Sequence, residues 1–265
     1  MILDKLVEST KKRVDETYKS GRAEEYKTVA SGYTKINFKD GKFYKAIANP
    51  EMSFICEVKK ASPSKGLIAE NFDYISIAKE YEEAGADAIS VLTEPEYFKG
   101  DIKYLGEITK TVNTPVLRKD FIIDETMIYE ARVNNASAVL LICSILTDEK
   151  LKEYLNLAHN LGMAALVEAH DEEEVDRAAD VGAGIIGVNN RNLKDFTVDF
   201  NNSIRLRNRV SENILFVSES GIKTPEDIKI LSDNGVNAVL IGETFMRADK
   251  KKEMLMHLKS GLELG

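Results

Sequence analysis

Apolar and polar positions follow two different rhythms along the chain. Between residues 2 and 18, Ile2, Leu3, Leu6, Val7, Val14 and Tyr18 recur at spacings that share one helical face. A polar stretch broken by Gly21, Gly32 and Gly41 follows, and then the apolar patch Phe43-Tyr44-Lys45-Ala46-Ile47. Residues 1–48 therefore predict a helical extension packed on the remainder. From Ser53 onward, short apolar runs recur, each followed by a turn and a charged amphipathic segment. The runs are 53–59, 88–93, 115–119, 138–143, 164–168, 185–189, 214–218 and 238–242. They are rich in Val, Ile and Leu on both faces, as strands are when helices cover both sides of a parallel sheet. Segments 76–84, 125–133, 148–161, 172–179 and 225–234 carry the helical period between them. The pattern predicts an α/β fold, a (β/α)8 TIM barrel with an N-terminal helical extension. It assigns 1–265 to one domain, with a barrel core at 53–247 and a C-terminal helix at 248–265. An open doubly wound sheet is the rival, but eight βα units favour closure.

Composition narrows the function classes. Apolar residues make up 43% of the 265, enough for a large core, and the net charge of −8 opposes a nucleic-acid partner, whose phosphates demand a basic face. It does not oppose one small phosphate, which a few backbone N–H groups can hold. Cys56 and Cys143 lie in apolar runs without CxxC spacing and predict buried thiols in a reducing compartment. No signal-peptide pattern opens the sequence and no apolar run reaches membrane-spanning length, so a cytoplasmic protein without a membrane partner is expected.

Side-chain alternation then picks out candidate chemistry. Residues i and i+2 of a strand share a face, so Glu57 and Lys59 point together at the end of the first run, as do Asn189 and Arg191 at the sixth. With Ser62, Lys119, Glu168 and Ser220 they crown the C-terminal ends of the strands, where barrel active sites lie. A Lys/Glu set there suits proton transfer. A single such residue is more often a solvated charge, but so many at matching strand ends favour function. Gly221 follows the seventh run and Gly242 ends the eighth, where barrels often bind phosphate against a short helix; 243–247 is the candidate helix. Either glycine alone is weak evidence, since glycine also ends strands for steric reasons.

The motif Glu57-Val58-Lys59-Lys60-Ala61-Ser62-Pro63-Ser64-Lys65-Gly66 resembles the signature of indole-3-glycerol phosphate synthases. Ser90–Phe98, Pro115–Phe121, Leu166-Val167-Glu168, the stretch from Gly187 through Asn189 and Arg191 to Leu193, and Ser218-Glu219-Ser220-Gly221-Ile222 continue the resemblance in order. It covers about residues 43 to 247. The resemblance implies closure and decarboxylation of 1-(2-carboxyphenylamino)-1-deoxyribulose 5-phosphate to indole-3-glycerol phosphate, carbon dioxide and water, in tryptophan biosynthesis. It implies Lys119 as general acid on the ketone oxygen and Glu168 as general base in the final dehydration. Lys59 would pair with the departing carboxylate, and the division of acid duty between Lys59 and Lys119 stays open. Glu57 and Asn189 would hold substrate hydroxyls and the catalytic lysine, and Arg191 the substrate carboxylate region. Lys59, Ser62, Ser220, Gly221, Gly242 and Glu243 would contact phosphate and glycerol, Glu243 through its backbone N–H alone. Phe98, Phe121, Leu140 and Leu193 would wall the anthranilate ring, with ordinary core as the plainer alternative. No metal or organic cofactor is implied, and a complex with other enzymes of the pathway stays open.

Other features point to bland roles. Glu168-Ala169-His170 lacks a third ligand for a metal, His159 and His257 are expected on helix surfaces, and Glu172-Glu173-Glu174 is expected to be a solvated helix start. Lys250-Lys251-Lys252 is expected on a solvated face. The rival functions are another phosphate-binding barrel such as phosphoribosylanthranilate isomerase, which would need an Asp/Cys acid–base pair, and a non-catalytic barrel, which would scatter its charges.

Overall fold

A computed structural model describes residues 2–33, 35–192 and 195–264. The eight apolar runs are strands: β1 (Ser53–Val58), β2 (Ala88–Leu92), β3 (Val116–Lys119), β4 (Ala138–Ile142), β5 (Ala164–Ala169), β6 (Ile185–Asn189), β7 (Leu215–Glu219) and β8 (Ala238–Ile241). Each pairs in parallel with the next, and β8 closes on β1 to complete the barrel. Alternation sorts their side chains into two apolar masses. Ile55, Leu117, Leu140, Leu166, Val217 and Leu240 fill the interior, whereas Phe54, Ile89, Val139, Val167, Ile186 and Val239 face the helical jacket.

The jacket comprises α4 (Tyr74–Ala84), α5 (Ile102–Thr111), α6 (Glu125–Val133), α7 (Asp148–Asn160), α8 (Glu172–Asp180), α9 (Asn201–Arg207) and α10 (Pro225–Asp233). Most begin on a capping side chain: Asp73, Asp101, Asp124, Thr147, Asp171 and Thr224 each accept a first-turn N–H. Neither α5 nor α9 is among the predicted helices. In α5, Gly106 and the β-branched Ile and Thr residues weaken the local signal. Packing decides instead, because a Cβ at Gly106 would lie 2.6 Å from Asn134 Oδ1 at the end of α6. The chain closes with α11 (Glu243–Arg247) and α12 (Lys251–Lys259). Lys251 leaves its expected solvated face: its side chain is only 12% exposed and lies 3.7 Å from Glu80. Among the described residues no helix is long and apolar enough to cross a membrane.

The N-terminal extension grips the barrel at both ends. It contains α1 (Ile2–Lys19), α2 (Arg22–Ser31) and α3 (Lys42–Ile47). Phe43 and Ile47 of α3 join the interior cluster, and the Phe38 ring just before α3 occupies the space a Cβ at Gly184 would need. That ring stacks on His159 at 3.8 Å, so His159 is a half-buried floor residue and not the surface residue expected. At the opposite mouth, Ile2 and Leu6 of α1 pack beside Phe121.

The α1 helix is also fixed by charge. Arg13 donates two hydrogen bonds to the Asp120 carboxylate, at 2.9 and 2.8 Å. Asp120 accepts from Thr93 (2.5 Å) and lies 3.3 Å from Arg118, itself paired with Glu130 at 2.8 Å. Burial would raise the Asp120 pKa, but the two guanidiniums and Thr93 hold it well below the usual carboxylate range. Asp120 therefore stabilises the fold above the ordinary carboxylate pKa, and that contribution fades only in strong acid. Arg13→Ala should cost about 1.5–3 kcal/mol, as lost hydrogen bonds between charged groups do. Urea denaturation at neutral pH checks this; a loss below about 0.5 kcal/mol would show that the clamp does not hold α1.

Candidate active site

Odd-numbered barrel strands send side chains into shared interior layers. In the layer nearest the C-terminal mouth, Glu57 comes from β1, Lys119 from β3, Glu168 from β5 and Glu219 from β7. The three carboxylates are almost fully buried, with relative exposures of 4%, 2% and 3%. Lys119 Nζ lies 2.8 Å from Glu168 Oε2 and 3.2 Å from Glu219 Oε2. Lys59, one step beyond β1, forms an ion pair with Glu57, as their shared face predicts.

The two glutamates beside Lys119 titrate in opposite directions. Burial would pull Lys119 down, but Glu168, Glu219 and Glu57 outweigh it and hold the ammonium well above the ordinary lysine range. Burial would raise Glu168, yet Lys119 and His170 keep it ionised far below the usual carboxylate value. For Glu219 burial outweighs the attraction of Lys119, and Glu168 and Glu57 repel its charge, so its carboxyl is pushed up to about 7. Among the described residues its Oε1 has no hydrogen-bond partner, and it is buried in space left open by Gly187, where a Cβ would lie 2.5 Å away. One ammonium thus stands between a fixed anion and a carboxyl that gains or loses its proton near neutrality.

A cavity of about 710 Å³ opens above this layer. Its polar lining includes Lys59, Ser62, Asn189, Arg191, Ser220 and Glu243. Asn189 Nδ2 lies 3.4 Å from Glu168 Oε1, and its Oδ1 accepts the Arg191 backbone N–H at 3.0 Å. Ser220 and Gly221 both adopt left-handed backbone (φ 68° and 86°), turning the chain after β7 toward the cavity. Thr244 Oγ1 donates to the Ile222 carbonyl at 2.9 Å and ties this turn to Gly242 and α11. The Glu243 carboxylate is engaged by Arg247 (3.1 Å) and Lys65 (3.7 Å). Ser62 lies on a small antiparallel pair, Ala61–Ser62 against Gly66–Leu67, and Lys65 in the turn that joins it, an element too short for periodicity to reveal.

On the other wall, Phe98, Phe121 and Leu140 form an apolar face, with the two rings 6.0 Å apart. Buried Glu94 shapes this wall by accepting the backbone N–H groups of Glu96, Tyr97 and Phe98 at 3.0, 2.7 and 2.9 Å. Every expected site residue lines the cavity except Leu193, which lies outside the described residues. Glu219 was absent from the expected set, although it ends an apolar strand just as Glu168 does. Glu174 is not the solvated residue expected: its side chain is 13% exposed and contacts His170. Among the described residues no group of three His, Cys, Asp or Glu side chains could hold a metal ion.

The fold and this acid–base layer define a (β/α)8-barrel enzyme with its chemistry at the strand C-termini. The barrel resembles solved structures of 3-hexulose-6-phosphate synthase (TM-score 0.63, 16% identity, 79% of this chain and 99% of that one) and thiamine phosphate pyrophosphorylase from Pyrococcus furiosus (TM-score 0.59, 17% identity, 81% and 97%). At those identities the likeness is one of fold. The family model of indole-3-glycerol phosphate synthase matches residues 3–258. An indole-3-glycerol phosphate synthase of Ruminiclostridium cellulolyticum is 57% identical over 94% of this chain and 95% of that relative; one of Endomicrobium trichonymphae is 56% identical over 98% and 100%. The chain belongs to the indole-3-glycerol phosphate synthase family.

The raised Glu219 carboxyl has a stability consequence. Its folded-state pKa lies above the unfolded value, so its stabilising contribution is full below about 4.5 and lost as pH rises through about 7. Glu219→Gln, which mimics the neutral form, should raise the melting temperature relative to wild type more at pH 8 than at pH 5. A difference independent of pH would contradict the assignment.

Proposed function

We propose that the chain closes and decarboxylates 1-(2-carboxyphenylamino)-1-deoxyribulose 5-phosphate, yielding indole-3-glycerol phosphate, carbon dioxide and water in tryptophan biosynthesis. The observation that carries this reading is the Lys119 ammonium, held between Glu168 and Glu219 at the floor of a cavity with one apolar and one glycine-turned polar wall. The apolar wall of Phe98, Phe121 and Leu140 suits the anthranilate ring. The turns at Ser220–Gly221 and Gly242–Glu243 suit the phosphate, which backbone N–H groups can hold. Arg191 and Lys59 offer cations to the substrate carboxylate.

Substrate bound this way places its ketone oxygen over Lys119. The ring carbon bearing the carboxylate attacks the ketone carbon, and the carbonyl electron pair moves to oxygen, which takes the Lys119 proton. The ion pairs that keep Lys119 protonated also restrain its proton, so transfer accompanies charge development on oxygen; stabilisation is greatest in the transition state. The bond to the carboxylate then breaks, its electrons return to the ring system, and carbon dioxide leaves. Glu168, ionised in the free site, removes the proton from the neighbouring carbon while the new hydroxyl departs as water with a proton from an ammonium group. Glu57 fixes Lys59, and Asn189 is within reach of both Glu168 and substrate hydroxyls. No step calls on a metal. A phosphoribosylanthranilate isomerase mechanism lacks its acid–base pair here, since both cysteines are buried in the outer apolar mass.

Appearance of indole fluorescence on incubation with the carboxyphenylamino substrate tests the activity; no signal would reject it. Lys119→Ala should reduce turnover by about 10²–10⁴-fold, the usual contribution of a general acid. Retention of more than about a tenth of wild-type turnover would remove Lys119 from that role. Glu168→Gln should bind substrate nearly normally, lose about 10²-fold or more in rate, and accumulate the ring-closed, decarboxylated species in a single turnover. Failure at substrate binding instead would make Glu168 a substrate-holding group.

A further inference from the structure

His170, just beyond the end of β5, is held between two carboxylates. Its Nε2 lies 3.3 Å from Glu168 Oε1, and its Nδ1 lies 2.9 Å from Glu174 Oε2. The same Glu174 oxygen accepts the His170 backbone N–H at 2.9 Å, and Asn202 Nδ2 donates to the His170 carbonyl at 3.0 Å. Glu174 is anchored in turn, since its own N–H is capped by Asp171 at 3.0 Å in the first turn of α8. The imidazole is 17% exposed and its backbone is fixed at both ends. An anion at each ring nitrogen favours the form with a proton on both, the imidazolium.

This places a second cation on Glu168, opposite Lys119. Lys119 engages Oε2, whereas His170 faces Oε1. The two cations differ in what the reaction asks of them. Lys119 gives up its proton to the substrate oxygen and becomes a neutral amine, at the moment when Glu168, 2% exposed, must remain an anion ready to act. A buried carboxylate deprived of its only cation would tend to take up a proton itself. His170 has no such duty, because its other nitrogen is tied to Glu174 on the helical jacket.

We infer that His170 is a positioning residue that keeps Glu168 oriented and ionised through the turnover by holding a fixed positive charge against Oε1. The inference rests on the reading of Glu168 as the general base. The groups that meet the imidazole support it: Glu168 on β5 and Glu174 on α8 are both anions. Lys119 on β3 meets Glu168 at its other oxygen and also Glu219 on β7, while the Cys143 thiol after β4 and Arg177 on α8 interact on the Glu174 side. Burial alone would favour the neutral imidazole, but Glu168 and Glu174 push its pKa up to about 10, so the charge persists through the neutral range. At 3.3 Å Nε2 and Glu168 Oε1 form an ion pair, and among the described residues Nε2 has no other hydrogen-bond partner. The arrangement also accounts for the opposite titration of the two glutamates beside Lys119: Glu168 has a second cation and Glu219 does not.

The test compares His170→Gln, Glu174→Gln and Glu168→Gln in steady-state assays across pH with the carboxyphenylamino substrate. His170→Gln should lower kcat by about tenfold or more while KM stays within about twofold. The acidic limb of its kcat profile should move up by about one pH unit or more, because Glu168 without the cation takes a proton more readily. Glu174→Gln leaves the imidazole in place but removes its outer anion, so its charge should be lost at lower pH. The alkaline limb of kcat should then move down, a readout that serves even if His170→Gln does not fold. Unmoved limbs in the variants that fold, with Glu168→Gln inactive, would overturn the role of His170 alone. Wild-type turnover in Glu168→Gln would overturn the base assignment and this inference with it.

Discussion

The site depends on one ammonium group buried among carboxylates. Charged groups leave water at considerable cost, and three carboxylates in one barrel layer would neutralise themselves by taking up protons unless a cation met them there. Lys119 supplies that cation from β3, flanked by Glu168 and Glu219, while Lys59 engages Glu57 from the rim. The barrel makes the arrangement possible because alternate strands deliver side chains to a common level, with no loop needed to carry them. Below that level, Ile55, Leu117, Leu166 and Val217 exclude water, so the charges act in a medium where they count for more.

The pairing does not treat its members alike. Glu168 has cations on both oxygens and remains an anion, whereas Glu219 shares Lys119 and keeps an unpartnered oxygen. The cavity floor therefore holds an ionised carboxylate next to a carboxyl that can exchange a proton at neutral pH. Groups driven apart in this way are how one set of glutamates can serve both acid and base chemistry. The cost appears as buried, imperfectly satisfied polar atoms, which the N-terminal extension helps to offset by clamping Asp120, the residue after Lys119, through Arg13.

Much of this was legible in the sequence, for a physical reason. Strands buried on both faces must be apolar throughout, so the eight runs stand out, and a polar or charged residue closing such a run marks the mouth of the barrel. Glu57, Lys59, Lys119, Glu168 and Asn189 were recognisable by that rule. Glu219 obeys it too, but the apolar run stops at Ser218 and the Ser220-Gly221 turn that follows masks the carboxylate between them. His170 and Glu174 were invisible in a different way. Their significance depends on α8 bringing its first turn against the end of β5, which periodicity cannot express. The same holds for His159, whose stacking on Phe38 joins segments more than a hundred residues apart. Helix α5 was missed because its packing against Asn134 outweighs weak local propensity.

In the proposed reaction Lys119 and Glu168 work as one unit, each made effective by the other. A double-mutant cycle in kcat, built from Lys119→Met, Glu168→Gln and the combined variant, measures that coupling most directly. If the pair is a unit, the double variant should be about as slow as the slower single variant, since removing the second partner takes away a function already lost. Losses that multiply, so that the double variant is slower by the product of the two single effects, would show independent roles and contradict the account.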